Sequence, residues 1–340
     1  MSKPKNPEPI SHHYVPKLYL RKFSNKKGKE FYLYSFDKEL KKVYSNNINN
    51  VCCEDYFNEL IYGIPNSYYD DLINEIGPDE RIKKVKSKEE LYDMIGNEEI
   101  EKAKSIKELY ELIGDKEQTF FMPLEKTFNV NETEFNRVYK KIIDLEDISQ
   151  LSDQDRAVTA TFLIYQWKRT KVQRNFIKNI ILNFLKKQME IANSVEYILC
   201  LYFLCNNDLL LRYLHILNIV NIEDAFKAFL NMGWTLCINK TNFPYWTSDN
   251  PFVLENIIEI EQNSAMQIRE GFKIYLPLSP KICLMLYDPF FYNYPSKIFD
   301  IDVKSVSEKN MLQVASSLRN VFSFDDISLI NELINKPSSS

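Results

Sequence analysis

His12 and His13 stand side by side and are two of the chain's three histidines. Imidazole titrates near neutral pH and is a common metal ligand, so the pair can move a proton or help hold a divalent metal. Asp249, inside Ser248-Asp249-Asn250-Pro251, supplies a carboxylate able to orient an imidazole or join a metal. Arg169 carries a planar fork of donors that matches a phosphate or carboxylate. Glu54 and Glu125 are spare carboxylates. If these groups converge, they suit phosphodiester hydrolysis, either metal-assisted or by histidine acid–base work. The catalytic candidates are therefore His12, His13, Arg169 and Asp249.

A second group reads as substrate-binding. Lys168, Lys171, Arg174 and Lys178 recur along one face of a helix, and Arg156 to Met189 contains no acidic residue. Basic side chains with aromatics nearby can track a phosphate backbone. Ser248 and Asn250 flank the Asp249 carboxylate. Each feature has a plainer counterpart: a solvated helix face for the basic run, an Asx turn before Pro251 for the Ser-Asp-Asn block, and a buried pair with Glu125 or Asp249 for Arg169. The net charge of −4 does not mark the whole chain as a polyanion binder. His215 lies between Leu214 and Ile216, company typical of a core histidine.

Other chemistries lack their parts. The chain has only 7 glycines and no glycine-rich phosphate cradle, which argues against nucleotide-driven and nicotinamide reactions. It has no Gly-x-Ser-x-Gly elbow, and spacing alone links no histidine to Cys52-Cys53. The polar first ten residues show no secretory signal, and the cysteines lack Cys-x-x-Cys spacing; reduced thiols in the cytoplasm are the expectation. The most apolar stretch, 197–220, is interrupted by Asn206, Asn207, Asp208 and Arg212, so no membrane span is expected.

The elements that must position these groups follow from periodicity and punctuation. Ser11 is a candidate cap for a helix starting near Val15, with Pro16 in its first turn. Glu30 to Phe36 and Lys41 to Tyr44 alternate as a hairpin. Ser152, with Asp153 and Asp155 behind it, opens a long helix that runs to about Asn193 with a break near Lys171. Leu124 to Ile143 is a further helix. After Gly233 the pattern turns to strands at 234–238, 245–247, 273–276 and 282–287, then a helix from Val303 and a strand from Asn320. Residues 86–99 resemble 104–117, a doubled helical unit ending each time at a glycine, Gly96 or Gly114. The expected organisation is a flexible arm at 1–10, a single domain at 11–335 with a helical insertion at 86–117, and a frayed tail at 336–340.

With both ends in view, the chain resembles the uncharacterised microbial domain-of-unknown-function family four-two-three-eight. The resemblance rests on His12-His13-Tyr14-Val15-Pro16, Tyr19 to Phe23, Arg169-Thr170, Trp234, Thr247 to Pro251, Pro277-Leu278-Ser279-Pro280, Asn310 and Arg319 to Phe322. It spans roughly 11–325 and implies no activity; the doubled helix lies outside its pattern. The residues themselves suggest an α+β fold, with a large helical core and a small antiparallel sheet formed by N-terminal and C-terminal strands. The N-terminal helix should pack on the C-terminal half and bring an imidazole near Asp249. The leading functional expectation is a phosphodiester hydrolase, a nuclease acting as toxin or phage-defence effector, with nucleic acid as partner and a divalent metal as candidate cofactor. The alternative is a non-catalytic recognition or sensor protein that engages a ligand, or a protein partner through 86–117.

Overall fold

Ser11–His13 forms a strand, β1, although Ser11 has the makings of a helix cap. Its backbone pairs antiparallel with β5, Cys53–Asp55, and that pairing uses the groups a helix would otherwise need. The helix that follows is accordingly short: α1, Lys17–Leu20, begins after Pro16 and tightens into a 3-10 turn at Arg21–Phe23. Chemistry-bearing residues of the front block thus sit on a strand, with the helix behind them.

The computed structural model describes residues 11–55, 57, 124–191, 215–216, 218–219, 221–260, 265–327 and 330. The arm at 1–10, the insertion at 86–117 and the tail at 336–340 fall outside the described residues. The chain divides into two units, one made of Met1–Asn58, Pro123–Phe176 and His215–Ser340, the other of Glu59–Met122 and Ile177–Leu214. All the elements traced below lie in the first unit, except the later part of one helix.

Between the ends of β1 and β5 run β2, Asn25–Lys27; β3, Glu30–Asp37; and β4, Lys42–Asn47. The expected hairpin is β3–β4, with Asp37 opposite Lys42. Helix α2, Leu124–Leu145, precedes α3, Asp153–Lys168, and α4, Lys171–Ile191. Ser152 caps α3 in a reciprocal box with Asp155. The long helix read from the sequence is therefore two helices, broken at Arg169 and Thr170. Phe135 of α2 stacks on Phe162 of α3 with ring centroids 3.8 Å apart.

After α5, Glu223–Asn231, come β6, Gly233–Asn239; β7, Thr247–Ser248; β8, Val253–Ile260; β9, Ala265–Ser279; β10, Ile282–Tyr287; β11, Lys297–Asp300; α6, Val303–Ser316; and β12, Asn320–Ser323. The fold is α+β, but the single small sheet expected from the sequence is corrected to three sheets. One is the β1–β5 ribbon. The second runs β11-β6-β10-β9-β8 and draws only on the C-terminal half; all its pairs are antiparallel except β11 with β6. The third, β2-β3-β12-β7 with β4 on the far side of β3, is the one that mixes N-terminal and C-terminal strands. Two adjacent apolar strands, β6 and β10, are buried along almost their whole lengths, so they fill a core on both faces.

One apolar core gathers Val15, Leu20 and Phe23 with Phe162, Leu163, Leu236, Leu284 and Phe322. At its polar margin the Tyr19 hydroxyl lies 2.8 Å from Thr247 Oγ1 and donates to the Pro277 carbonyl at 2.6 Å. Front and back of the chain are therefore fastened directly. Lys38 reaches the end of α6, donating to the carbonyls of Val314 and Ser317 at 2.8 Å each, as a cation does at a helix C-terminus.

Candidate functional site

The β1–β5 register places His12 opposite Glu54 and His13 opposite Cys53. Successive side chains of a strand point to opposite faces, so the two imidazoles diverge. Tyr14 N–H donates to the Cys52 carbonyl at 2.9 Å, which makes Tyr14 and Cys52 a hydrogen-bonded pair. By alternation His13 and Cys53 occupy a non-hydrogen-bonded position, the kind at which facing side chains lie closest. Cys52 turns the chain with a φ of 53°, in the left-handed region.

His13 is the better placed imidazole for proton transfer. Its Nε2 is buried with no protein partner. Burial is the chief cause that lowers its pKa to about 4, helped by the charges of Lys17 and Arg169. The ring is neutral at pH 7. Cys53 Sγ donates to the Asn49 carbonyl at 3.6 Å.

His12, on the other face and 1% exposed, lies across from Glu54. Glu54 takes Lys171 at 2.8 Å and Arg174 at 3.5 Å. Arg174 also donates to the Phe57 carbonyl at 2.6 Å, and its guanidinium stands 3.5 Å from the centroid of the Phe57 ring. Lys171 Nζ is 5.2 Å from the Tyr14 ring centroid. Two of the four basic residues expected to track a backbone are thus engaged with one carboxylate. Lys168 Nζ donates to the carbonyls of Asn218, at 2.7 Å, and Asn221, and burial lowers its pKa. Lys178 is exposed.

Arg169 occupies the break between α3 and α4 and is 1% exposed. Its Nη1 pairs with Glu132 at 2.8 Å, its Nη2 donates to Gln166 Oε1 at 3.5 Å, and its guanidinium stands 5.0 Å from the Phe128 ring centroid. Two buried donors here have no acceptor in the protein, Arg169 Nε and Gln166 Nε2. His215 caps the end of α3 from the side: its Nε2 lies 2.9 Å from the Lys168 carbonyl, and burial lowers its pKa to about 3.

Asp249 is occupied by the backbone. Oδ1 accepts from Leu318 N–H at 2.9 Å, and Oδ2 accepts from Arg319 and Asn320 N–H at 2.8 Å each. Burial raises its pKa, against the pull of these three amides and Lys38. Its neighbours follow suit: Ser248 Oγ donates to Gln313 Oε1 at 2.8 Å, and Asn250 Nδ2 donates to the Ser316 carbonyl at 3.0 Å. The block clamps α6 and the turn into β12. The Asp249 charge is felt by Tyr14 and Cys52, whose pKa values it helps to raise, whereas the charges that bear on His13 are those of Lys17 and Arg169. The structure thus sets His13 opposite Cys53 and Arg169 against Gln166 and Glu132, while the charges of Arg169 and Asp249 act on His13 and Tyr14 respectively.

Three participants were not singled out from the sequence. Cys53 meets His13 only through strand pairing. Gln166 sits three residues before Arg169, the helical spacing that puts both on one face, but apolar neighbours mask it. Glu132, the partner of Arg169, is one carboxylate among several in α2. Among the described residues, no group of three or more His, Cys, Asp or Glu side chains is placed to hold a metal ion, and no helix is long and apolar enough to cross a membrane.

Comparison with known proteins gives one match: the family model described as "Protein of unknown function (DUF4238)" aligns with residues 11–326. Neither the curated proteins nor the solved structures yield a match.

Proposed function

The chain belongs to the DUF4238 family, and we propose that it is a phosphodiester-type hydrolase, with nucleic acid as the substrate to test first and His13 as the proton-transfer group. The observation that carries this reading is the His13 ring itself: its Nε2 is buried with no protein partner, and burial, helped by the charges of Lys17 and Arg169, keeps the ring neutral. A neutral imidazole can take up a proton as a general base. In the proposed reaction, Nε2 takes a proton from water as the water oxygen bonds to phosphorus. The bond from phosphorus to the ester oxygen breaks, and the imidazolium returns the proton to that oxygen. Arg169 offsets the charge that gathers on the phosphoryl oxygens. The test is cleavage of single- and double-stranded DNA and RNA and of a small aryl phosphodiester, each with and without chelator, which also decides whether a divalent metal takes part.

A second reading has its own observation behind it. Ser248, Asp249, Asn250 and Lys168 all spend their polar atoms on internal bonds, which suits a recognition or sensor protein whose polar blocks are structural. Under that reading the same site binds a ligand and leaves every phosphodiester substrate intact.

A further inference from the structure

The Nε–H and Nη2–H groups of an arginine leave the guanidinium on the same side, as a two-pronged edge. In Arg169 the opposite prong, Nη1, is committed to Glu132. The Nε–Nη2 edge faces the Gln166 amide, where Nη2 makes only a 3.5 Å contact with Oε1. Beside that contact, Arg169 Nε and Gln166 Nε2 are both buried and both lack an acceptor. Gln166 is 0% and Arg169 1% exposed, so bulk solvent does not supply one. Two adjacent buried donors without acceptors are costly, and such groups usually mark a position completed by something else. A ligand with acceptor oxygens and, beside a guanidinium, negative charge suits such a position.

We propose that Arg169 and Gln166 form a phosphoryl-binding subsite, in which two non-bridging oxygens of a phosphate ester take the Arg169 Nε–Nη2 edge and the Gln166 amide. Glu132 acts as the positioning residue, holding Nη1 so that the side edge stays turned to the ligand. The proposal rests on reading this site as one for phosphoesters and names the group it grips. A carboxylate ligand offers only two oxygens in one plane, fewer acceptors than a tetrahedral phosphoryl group has for donors on two side chains.

The test is calorimetric titration of the full chain with inorganic phosphate and, separately, with dimethyl phosphate, which distinguishes a monoester-like from a diester-like ligand. Two variants accompany the parent protein. Gln166→Glu keeps the shape but places a carboxylate against the Arg169 edge, and Gln166→Leu removes the amide. Expected is saturable binding of at least one anion by the parent, weakened at least about tenfold in Gln166→Leu and abolished in Gln166→Glu. The melting temperature of Gln166→Leu should change little, because the unsatisfied Nε2 donor is lost together with only a long 3.5 Å acceptor contact to Arg169 Nη2. Absence of binding to both anions, binding that survives in Gln166→Glu, or a sharp fall in the melting temperature of Gln166→Leu would each overturn the subsite. Binding does not require turnover. A parent that binds phosphate but cleaves nothing keeps the subsite and removes the hydrolase.

Discussion

Asp249 Oδ2 accepts the backbone N–H of Arg319 at 2.8 Å, a bond that joins residues 70 positions apart and fixes the turn into β12. With Leu318 and Asn320 donating to the same carboxylate, the side chain is saturated by amides. Asp249→Ala leaves three part-buried N–H groups without their acceptor, so it should destabilise the protein by roughly 2–4 kcal/mol. Chemical denaturation measures this. A variant that kept full stability while losing activity would instead give Asp249 a chemical role.

Tyr19 makes the matching fastening from the front of the chain. Tyr19→Phe removes the bonds to Thr247 and to the Pro277 carbonyl with little change of shape. A loss of about 1–3 kcal/mol is expected in urea titration, because two buried partners are left unsatisfied.

The Cys53 thiol lies opposite His13 on the paired strand, donates to the Asn49 carbonyl and is half-buried. Cys52 is buried, and burial raises its thiol well above the usual range, which makes it the less reactive of the two. Mild alkylation of the native protein should therefore label Cys53 before Cys52, as peptide mass spectrometry would show, and should suppress whatever activity His13 supports. Equal labelling of both thiols would contradict the assigned burial.

Acid should weaken the fold. His13 and His215 have folded-state pKa values lowered to about 4 and about 3, against 6.5 for a free side chain. Between those values and 6.5 the unfolded chain binds more protons than the native one, so stability falls as pH drops below 6.5. Asp249, with a raised pKa, acts in the opposite sense, giving stability that is lost as pH rises. Melting temperatures between pH 7 and pH 4 should decline, and His215→Phe should reduce the slope. An unchanged slope in that variant would mean that His215 is not the buried neutral group described above.

Much of the frame was legible in the residues. Ser152 and the two acidic residues behind it announced α3, the alternation from Glu30 announced the β3–β4 hairpin, and Gly233 marked the change to strands. The helix behind the front block was legible from Pro16, but the strand Ser11–His13 was not, because a three-residue strand has no period to show and its partner lies some forty residues away in Cys53–Asp55. The same gap hid the meeting of His13 with Cys53. Asp249 looked like a chemical group because backbone acceptors and donors leave no mark on a sequence; its three amides come from a turn that only the folded chain brings near. Gln166 was lost among apolar neighbours, although its spacing to Arg169 was there to be read.

His13 carries the central claim, and cleavage by His13→Ala tests it most directly. Rates on a labelled oligonucleotide and a small aryl phosphodiester should fall by at least about 100-fold relative to the parent, the usual loss when a general base is removed. Circular dichroism and the urea midpoint should show that the fold is retained. Parent-like cleavage by His13→Ala, or no cleavage by the parent under any metal condition, would contradict the account.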